Sequence, residues 1–344
     1  MNLSELESLT VNQQKKKMIK VSAPGKLMLF GEHAVVYNRP CLVAAVSQRL
    51  FLEMDKKSEN KILIDASEMK ISGLEIPLAN LDKEQPKEVR FVLEAVKIFF
   101  RKYQTESGLK IKTESQFSAE YGFGSSSAVT VCTIKALSKI FGIKMEEKEI
   151  FDLAYQVVLA IQGVGSGFDI AAAIHGGVIY FLTGGKIIEP LKVKNLPLIV
   201  GYTGAKASTS EIVKQVKSEM EKTPDYYENL YEQIRKIVEK AKKEIEKGNW
   251  KEVGKLMEEN QEILRKFKTP SVEYGVSSAI IEKLIKACQK AGAFGAKLSG
   301  AGVGDCIIAL GKDKKKIEKA IKEAGGFPVP VNIDYQGLKV EKTW

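Results

Sequence analysis

Two glycines and three consecutive serines lie directly before an apolar helical pattern in residues 121–141, and this feature constrains the chain most strongly. Gly122 and Gly124 allow the backbone to turn sharply and to approach a ligand closely. The hydroxyls of residues 125–127 stand where the helix would begin, a position at which serine caps free N–H groups. A helix N-terminus behind a glycine-rich loop also favours a bound phosphate, because its N–H groups and dipole attract anions. These residues alone leave both interpretations open, an ordinary capped helix and a phosphate site.

At 344 residues the chain exceeds the usual size of one hydrophobic core, which predicts two domains. Hydrophobic residues make up 44% and charged residues 28%, which is typical of a soluble enzyme. No apolar run suits a membrane span or a signal peptide, so we expect a cytoplasmic protein. Two histidines are too few for a histidine-rich zinc site. The cysteines are far apart among apolar neighbours, which indicates reduced core residues rather than disulfides or a metal site: Cys41, Cys132, Cys288 and Cys306.

The formal net charge of +10 could indicate nucleic acid, membrane or small anionic ligands as partners. Its distribution argues against the first two, because many lysines between residues 211 and 323 alternate with glutamates at helical spacing. Such faces are usually solvated. We therefore expect no nucleic-acid or membrane partner, and a general positive field that attracts anionic substrates.

The order of patterns along the chain predicts mixed helices and strands. Residues 1–17 are polar and read as an extension, after which the start is rich in strands, with Pro24 and Gly25 interrupting the first. Residues 211–267 are rich in Lys and Glu and predict two or three long helices. The other predicted helices are residues 86–102, 125–141, 146–161, 277–291 and 314–323, and the later strands are residues 109–114, 178–182, 198–202, 307–310, 328–334 and 337–340.

Three glycine-rich stretches, each beside charged or hydroxyl residues, are more than turns alone require. None contains the G-x-x-x-x-G-K-[ST] or the G-x-G-x-x-G motif, so nucleotide binding has to be argued from the set. In this order, and spanning residues 22–310, the stretches resemble the three motifs of the GHMP small-molecule kinases. They read Pro24-Gly25-Lys26 with Gly31-Glu32-His33, then Gly122-Phe123-Gly124-Ser125-Ser126-Ser127-Ala128, and last Lys297-Leu298-Ser299-Gly300-Ala301-Gly302-Val303-Gly304-Asp305.

Within this family the first motif looks most like that of mevalonate kinases, because it continues as Ala34-Val35-Val36-Tyr37 and lacks the arginine-asparagine run of galactokinases. The resemblance implies ATP-dependent phosphorylation of a hydroxyl on a small branched hydroxy acid. It matches Asp169 to the family's catalytic aspartate and Lys26 to the lysine beside it. Phosphoryl transfer needs positioning and charge neutralisation more than covalent catalysis, which agrees with these roles. A lysine within ~4–6 Å would hold the aspartate ionised.

The same resemblance assigns the remaining site residues. Ser126 would bind Mg²⁺ beside the nucleotide phosphates, since Mg²⁺ takes oxygen ligands and tolerates partial protein coordination. Residues 208–209 follow a strand end and fit either a substrate element or a plain turn. The implied sets are Gly122, Gly124, Ser125, Ser126 and Ser127 for ATP, Glu32, His33, Ser166 and Thr209 for the acceptor, and Gly300, Ala301 and Gly302 for packing against the phosphate loop.

Two departures leave the acceptor open. Mevalonate kinases usually carry a glutamate eleven residues before the catalytic aspartate, where this chain has Val158. Residues 162–169 and the Gly304-Asp305-Cys306 sequence look more like phosphomevalonate kinases, although those seldom have Gly-Glu-His in the first motif. The acceptor is therefore mevalonate or phosphomevalonate, with mevalonate favoured.

The family resemblance also implies the architecture. We expect an α+β protein in which residues 18–185 form an ATP-binding domain like ribosomal protein S5 and residues 186–344 an α/β sandwich domain. The active site would lie in the cleft between them, and a homodimer is allowed. A non-catalytic metabolite sensor on the same fold is the competing class, and the presence of both Lys26 and Asp169 speaks against it.

Overall fold

The computed structural model describes residues 18–118, 120–269 and 273–343, so the predicted extension of residues 1–17 lies outside it. Within these ranges the chain forms twelve strands and nine helices, together with four short 3₁₀ segments. The strands form two sheets, and helices pack on both. The predicted α+β class is confirmed.

The first sheet has eight strands, and its main path runs β12-β1-β2-β5-β3-β4, with β6 pairing to β2 and β7 pairing to β6. All of these pairs are antiparallel except β3 with β5. The strands are β1 Ile19–Phe30, β2 Cys41–Lys57, β3 Lys61–Ala66, β4 Ile71–Pro77, β5 Gly108–Ser115, β6 Val178–Leu182, β7 Ile187–Leu191 and β12 Lys339–Thr343.

Strand β1 passes through Pro24 and Gly25 without ending, so the predicted interruption there is wrong. Its register against β2 shifts between these two residues, which pair with Arg49 and Val46 respectively. A bulge of this kind accommodates a proline that cannot donate to the ladder. The bulge lies just before Lys26, at the point where the strand approaches the serine-glycine loop.

Four helices pack on the first sheet or on each other; the apolar periodicity predicted the first three, whereas the helix of residues 168–175 was not predicted. The helix of residues 125–141 contacts both β1 and β2 and buries residues such as Val131, Ile134 and Leu137. One boundary differs, because Pro86 precedes the first helix by four residues instead of opening it. The helices are α1 Arg90–Tyr103, α2 Ser125–Phe141, α3 Glu147–Gln162 and α4 Phe168–His175.

The second sheet is antiparallel, with the order β11-β8-β10-β9. The helices of residues 250–264, 279–290 and 314–323 pack on it, whereas the helix of residues 224–246 contacts strands β1 and β2 of the first sheet. The Lys/Glu-rich stretch forms three helices, as predicted. Its strands are β8 Leu198–Tyr202, β9 Gly295–Ser299, β10 Cys306–Leu310 and β11 Phe327–Val329, and its helices are α5 Thr209–Lys222, α6 Pro224–Glu246, α7 Trp250–Leu264, α8 Ala279–Lys290 and α9 Lys314–Glu323.

The end of the described chain returns to the first sheet, which the local pattern did not predict. Strand β12 pairs with β1, and the buried Arg49 fastens the segment before it. The guanidinium makes an ion pair with Asp334, and its Nε donates to Ser22 Oγ at 2.8 Å. Ser22 in turn donates to Glu341 at 2.5 Å. Strand β7 also joins the first sheet. This sheet therefore contains residues from both sides of position 185, the predicted boundary between the two domains.

No helix among the described residues combines the length and the apolar character that crossing a membrane requires.

Candidate active site

The serine-glycine stretch forms a loop that runs directly into α2. Gly124 is the residue before the helix, with φ of 77°, and no side chain caps the first turn. The expected capping by serine hydroxyls is therefore wrong, because a glycine in the left-handed region occupies the capping position. The first N–H groups of α2 are left for another partner, which fits an anion at this helix end.

Lys26 holds the loop from the side of the first sheet. Its backbone N–H donates to Phe123 O at 2.9 Å, and its side-chain Nζ donates to Gly122 O at 2.8 Å. Phe123 is itself buried beside Phe117, with ring centroids 5.8 Å apart. The first and second motifs are thus joined by backbone and side-chain bonds.

Asp169 lies in the first turn of α4 and is held by Ser127 from the first turn of α2. The Ser127 hydroxyl donates to Asp169 Oδ2 at 2.6 Å, and the backbone N–H of Ile170 donates to Oδ1 at 3.1 Å. Ser127 is buried, whereas Asp169 remains partly exposed. The third serine therefore orients a carboxylate, a role that its position in the sequence did not indicate.

Lys26 and Asp169 lie on either side of Gly124. A Cβ atom built on Gly124 would be 3.0 Å from Lys26 Cε and 3.7 Å from Asp169 Cβ. Across residues 18–118, 120–269 and 273–343, the two side chains form no direct ion pair; Lys26 bonds to Gly122 and lies over the Phe168 ring at 5.3 Å. A carboxylate and an ammonium group thus lie together beside Gly124, where the active-site cleft is expected.

Two serine hydroxyls of this loop are available as oxygen ligands for a metal. Ser125 and Ser126 are partly exposed, and their hydroxyls have no hydrogen-bond partner among the residues described. Position 158 offers no carboxylate: Val158 is buried, and a Cβ on Gly165 would lie 2.8 Å from its Cγ1. In the part of the chain that the structure covers, no three His, Cys, Asp or Glu side chains gather as a metal site.

Glu32 and His33 are buried behind the cleft and bind the third motif. Glu32 forms an ion pair with Lys297, and both side chains are 0% exposed. His33 Nε2 is 3.0 Å from Ala301 O, and the ring lies 5.1 Å from that of Phe267. Burial lowers the pKa of His33 to about 4, so the imidazole is neutral near pH 7. The first and third motifs are therefore joined by polar contacts out of water.

The lowered pKa of His33 makes the stability of the protein dependent on pH. Between pH 6.5 and about 4 the unfolded chain binds a proton at His33 that the folded chain does not, so acid favours unfolding. We expect His33 to lower the free energy of unfolding by up to about 1.4 kcal/mol per pH unit in this window. Urea denaturation of the wild type and of His33→Asn, which tolerates the left-handed backbone at this position (φ 60°), should show a flatter profile for the variant. Parallel profiles would contradict the assignment.

The bracing of the phosphate loop differs from the prediction. The contacts of Gly300 to Gly302 are with the Glu32–His33 turn and with Val276, where Val303 N donates to Val276 O at 2.8 Å. The residues against the loop are instead Asp305 and Cys306. A Cβ on Gly122 would lie 2.7 Å from Asp305 Oδ2, and Cys306 Sγ is 3.3 Å from Tyr121 O.

Asp305 also fixes the loop that precedes α5. Its Oδ1 accepts from Ala207 N at 2.9 Å, and its own N–H donates to Ala205 O at 2.8 Å. Burial raises the pKa of Asp305, while the Ala207 amide and the charges of Lys26 and Lys206 oppose that rise. One buried carboxylate thus links the phosphate loop to the segment that leads to Thr209.

The two remaining predicted acceptor residues occupy different surroundings. Thr209 is the first residue of α5 and is exposed. Ser166 is buried, and its carbonyl accepts from Gly184 N at 2.9 Å. Their contact with an acceptor stays a prediction.

Sequence reasoning missed the roles of Lys297 and Asp305, although both belong to the third motif. A signal was present, since each is a charged residue within a glycine-rich stretch that directly precedes an apolar strand pattern. Charges in such a position are buried only when they are paired or hydrogen-bonded.

Comparison with known families finds two matching models. The model described as GHMP kinases N terminal domain matches residues 90–177, and the model described as GHMP kinases C terminal matches residues 241–327. Together they cover α1 to α4 of the first part, and strands β9 and β10 with helices α7 to α9 of the second.

Curated relatives match nearly the whole chain. The mevalonate kinase of Thermococcus sibiricus is 34% identical over 336 residues, 94% of this chain and 98% of that protein. The mevalonate kinase of Pyrococcus furiosus is 36% identical over 335 residues, 93% of this chain and 98% of that protein.

Solved structures give the same fold. The crystal structure of L. major mevalonate kinase in complex with R-mevalonate matches with a TM-score of 0.72 and 25% identity, over 92% of this chain and 96% of that chain. The Streptococcus pneumoniae phosphomevalonate kinase in complex with phosphomevalonate and AMPPNP matches with a TM-score of 0.76 over 92% and 100% of the two chains. Its identity of 19% shows a likeness of fold alone.

Proposed function

Because this chain belongs to the GHMP kinase family, with mevalonate kinases among its curated relatives, we propose that it transfers the terminal phosphoryl group of ATP to the 5-hydroxyl of mevalonate. The chain is a phosphotransferase of this family. The product would be 5-phosphomevalonate, and the reaction would supply isoprenoid precursor synthesis.

The observation that carries the proposal is the arrangement around Gly124. The Asp169 carboxylate, held by Ser127 at 2.6 Å, and the Lys26 ammonium lie on either side of this glycine at the free N-terminus of α2. Phosphoryl transfer asks for a residue that takes the hydroxyl proton, a cation near the transferred group and N–H donors toward the phosphates. All three are present in one cleft.

The proposed step balances as a direct displacement. The acceptor oxygen forms a bond to the γ-phosphorus, the bond from that phosphorus to the bridging oxygen of ADP breaks, and the hydroxyl proton passes to Asp169. Ser127 donates to Oδ2 of Asp169 and the Ile170 N–H donates to Oδ1, which fixes the orientation of the carboxylate and leaves a second lone pair on each oxygen for the hydroxyl proton. Lys26 offsets negative charge that develops on the transferred group.

ATP use follows from the family, and the protein surface fits it. Gly122 and Gly124 let the loop pack closely against Asp305 and Lys26, since a Cβ atom there would lie 2.7 Å from Asp305 Oδ2 and 3.0 Å from Lys26 Cε. We propose Mg²⁺ as the metal, held by the Ser126 hydroxyl, with Asp169 nearby. When bound, Mg²⁺ neutralises phosphate charge, and it commonly needs only one or two carboxylates because phosphates and water complete its coordination. A site without a carboxylate at Val158 is compatible with that requirement.

Mevalonate is favoured over phosphomevalonate by the curated relatives, which are mevalonate kinases at 33–36% identity across most of the chain. Because the sequence around Asp169 and Asp305 resembles that of phosphomevalonate kinases, phosphomevalonate should be tested as the second acceptor. A coupled assay of ADP release, with mevalonate and phosphomevalonate in parallel, decides between them. We expect turnover with mevalonate; turnover only with phosphomevalonate would reject the proposal, and tight binding without turnover of either would favour the sensor.

A further inference from the structure

The ion pair between Glu32 and Lys297 is the most deeply buried pair of opposite charges among the described residues, with both side chains 0% exposed. It joins the segment after β1 to strand β9, 265 positions apart in the chain, and so connects the first sheet to the second. Lys297 Nζ also donates to Leu298 O at 2.6 Å. The ammonium is therefore fixed by two acceptors.

Stability alone does not account for this pair. Removing two charges from water costs several kcal/mol per ion, and apolar residues of similar size are often as stable in such positions. The pairing is also incomplete, because Glu32 Oε2 is buried without a hydrogen-bond partner. Burial raises the pKa of Glu32, while the charge of Lys297 and the backbone amides of Glu32 and Gly300 oppose that rise, and none of these groups bonds to Oε2.

The backbone around Glu32 is held in an unusual conformation. Gly31 has φ of 101°, and a Cβ there would lie 2.5 Å from Cys41 Cβ, so only glycine fits. His33 has φ of 60°, which is costly for a residue with a side chain. Strain of this kind persists only where surrounding contacts impose it. Here the contacts are the Lys297 pair and the bond from His33 to Ala301.

The pair also lies near the proposed catalytic end of the cleft. Ser299, two residues after Lys297 on β9, donates its hydroxyl to Met28 O on β1 at 2.9 Å, and Met28 is two residues after Lys26 on the same strand. An acceptor that is itself an anion would be repelled by an uncompensated carboxylate at this place. Lys297 removes that repulsion by compensating the charge of Glu32.

From this geometry we infer that Lys297 is a positioning residue for the acceptor, which holds the Gly31–His33 turn against Gly300 and Ala301 and cancels the charge of Glu32. The inference rests on the proposed function for the position of the acceptor. It assigns to the third motif a role on the acceptor side, whereas the motif was expected to brace the phosphate loop.

The test compares Lys297→Met, Glu32→Gln and the double variant, with Lys286→Met on α8 as an exposed lysine control. We expect Lys297→Met to raise the acceptor KM at least about tenfold, the change that a loss of 1.4 kcal/mol corresponds to. ATP affinity, measured by titration without acceptor, should change far less. The double variant carries no charge at this buried position, so it should fold with a Tm near that of the wild type. Its acceptor KM should rise no more than that of Lys297→Met, because the two substitutions remove the same interaction.

Equal losses of ATP and acceptor affinity in the folded double variant would overturn the inference in favour of a purely structural pair, as would an unchanged acceptor KM. The assay uses whichever acceptor the wild type phosphorylates. Turnover of phosphomevalonate alone would therefore reject the proposed function while leaving the role of Lys297 to be decided by its own KM comparison.

Discussion

Replacing Asp169 with Asn should lower kcat by ~10²–10⁴-fold, the range that a positioned general base contributes. The amide keeps the size of the side chain and one oxygen for the Ser127 hydroxyl, so the packing between α2 and α4 should persist. It cannot take the proton of the acceptor hydroxyl. ATP affinity should remain largely intact, because the phosphate loop is held by Lys26 and Asp305 and not by Asp169. Steady-state kinetics together with nucleotide titration measure the two quantities separately.

Two companion variants sharpen this experiment. Ser127→Ala removes the bond to Asp169 but keeps the carboxylate, so we expect a smaller loss, equivalent to about 1.5–3 kcal/mol for a bond to a charged group. Asp152→Asn on α3 changes an exposed aspartate paired with Lys148 and should leave kcat unchanged. An Asp169→Asn enzyme with wild-type kcat would remove this residue from the mechanism.

The local elements of the fold could be predicted because their signals are local. Helix α2 has apolar residues at helical spacing, and the Lys/Glu stretch produced the three predicted helices. The pairing of strands could not be predicted in the same way. Strand β12 joins β1 across more than 300 positions, and what fixes it is a set of distant contacts, Arg49 with Asp334 and Ser22 with Glu341. Nothing in the neighbouring sequence of these residues specifies their partners.

In the candidate site, too, local patterns could be predicted from the sequence, whereas contacts between distant residues could not. The motifs singled out the serine-glycine loop together with Lys26 and Asp169, which the structure brings close to Gly124, because glycine and charge patterns are visible in the sequence. The partners of individual side chains were not visible. Ser127, which was expected either to cap the helix or to bind the nucleotide, donates to Asp169, 42 positions away, while Gly124 takes the capping position. Glu32 was expected at the acceptor and is buried against Lys297. Which polar group meets which is decided by the packing of the two sheets.

Replacing Lys26 with Met should lower kcat by ~10²–10³-fold, comparable to the loss of one preorganised donor at a developing charge. Methionine keeps much of the length and the apolar stem, and the backbone bond from residue 26 to Phe123 O does not depend on the side chain. The ammonium is lost, and with it the compensation of charge on the transferred phosphoryl group. Lys20→Met is a matched control, since Lys20 lies on the same strand and pairs with Glu53 away from the loop.

The bond from Lys26 to Gly122 O allows a second outcome that the same kinetics separate. A lysine that only braced the phosphate loop would, when replaced, weaken ATP binding and leave kcat near its wild-type value. A lysine that acts on the transferred group affects kcat even at saturating ATP. We expect the second result, because the backbone bond to Phe123 and the contacts of Asp305 and Cys306 hold the loop without the ammonium. Lys26→Arg should restore only part of the rate, since the larger planar guanidinium keeps the charge but not the fit beside Gly124, where Lys26 Cε would already lie 3.0 Å from a Cβ.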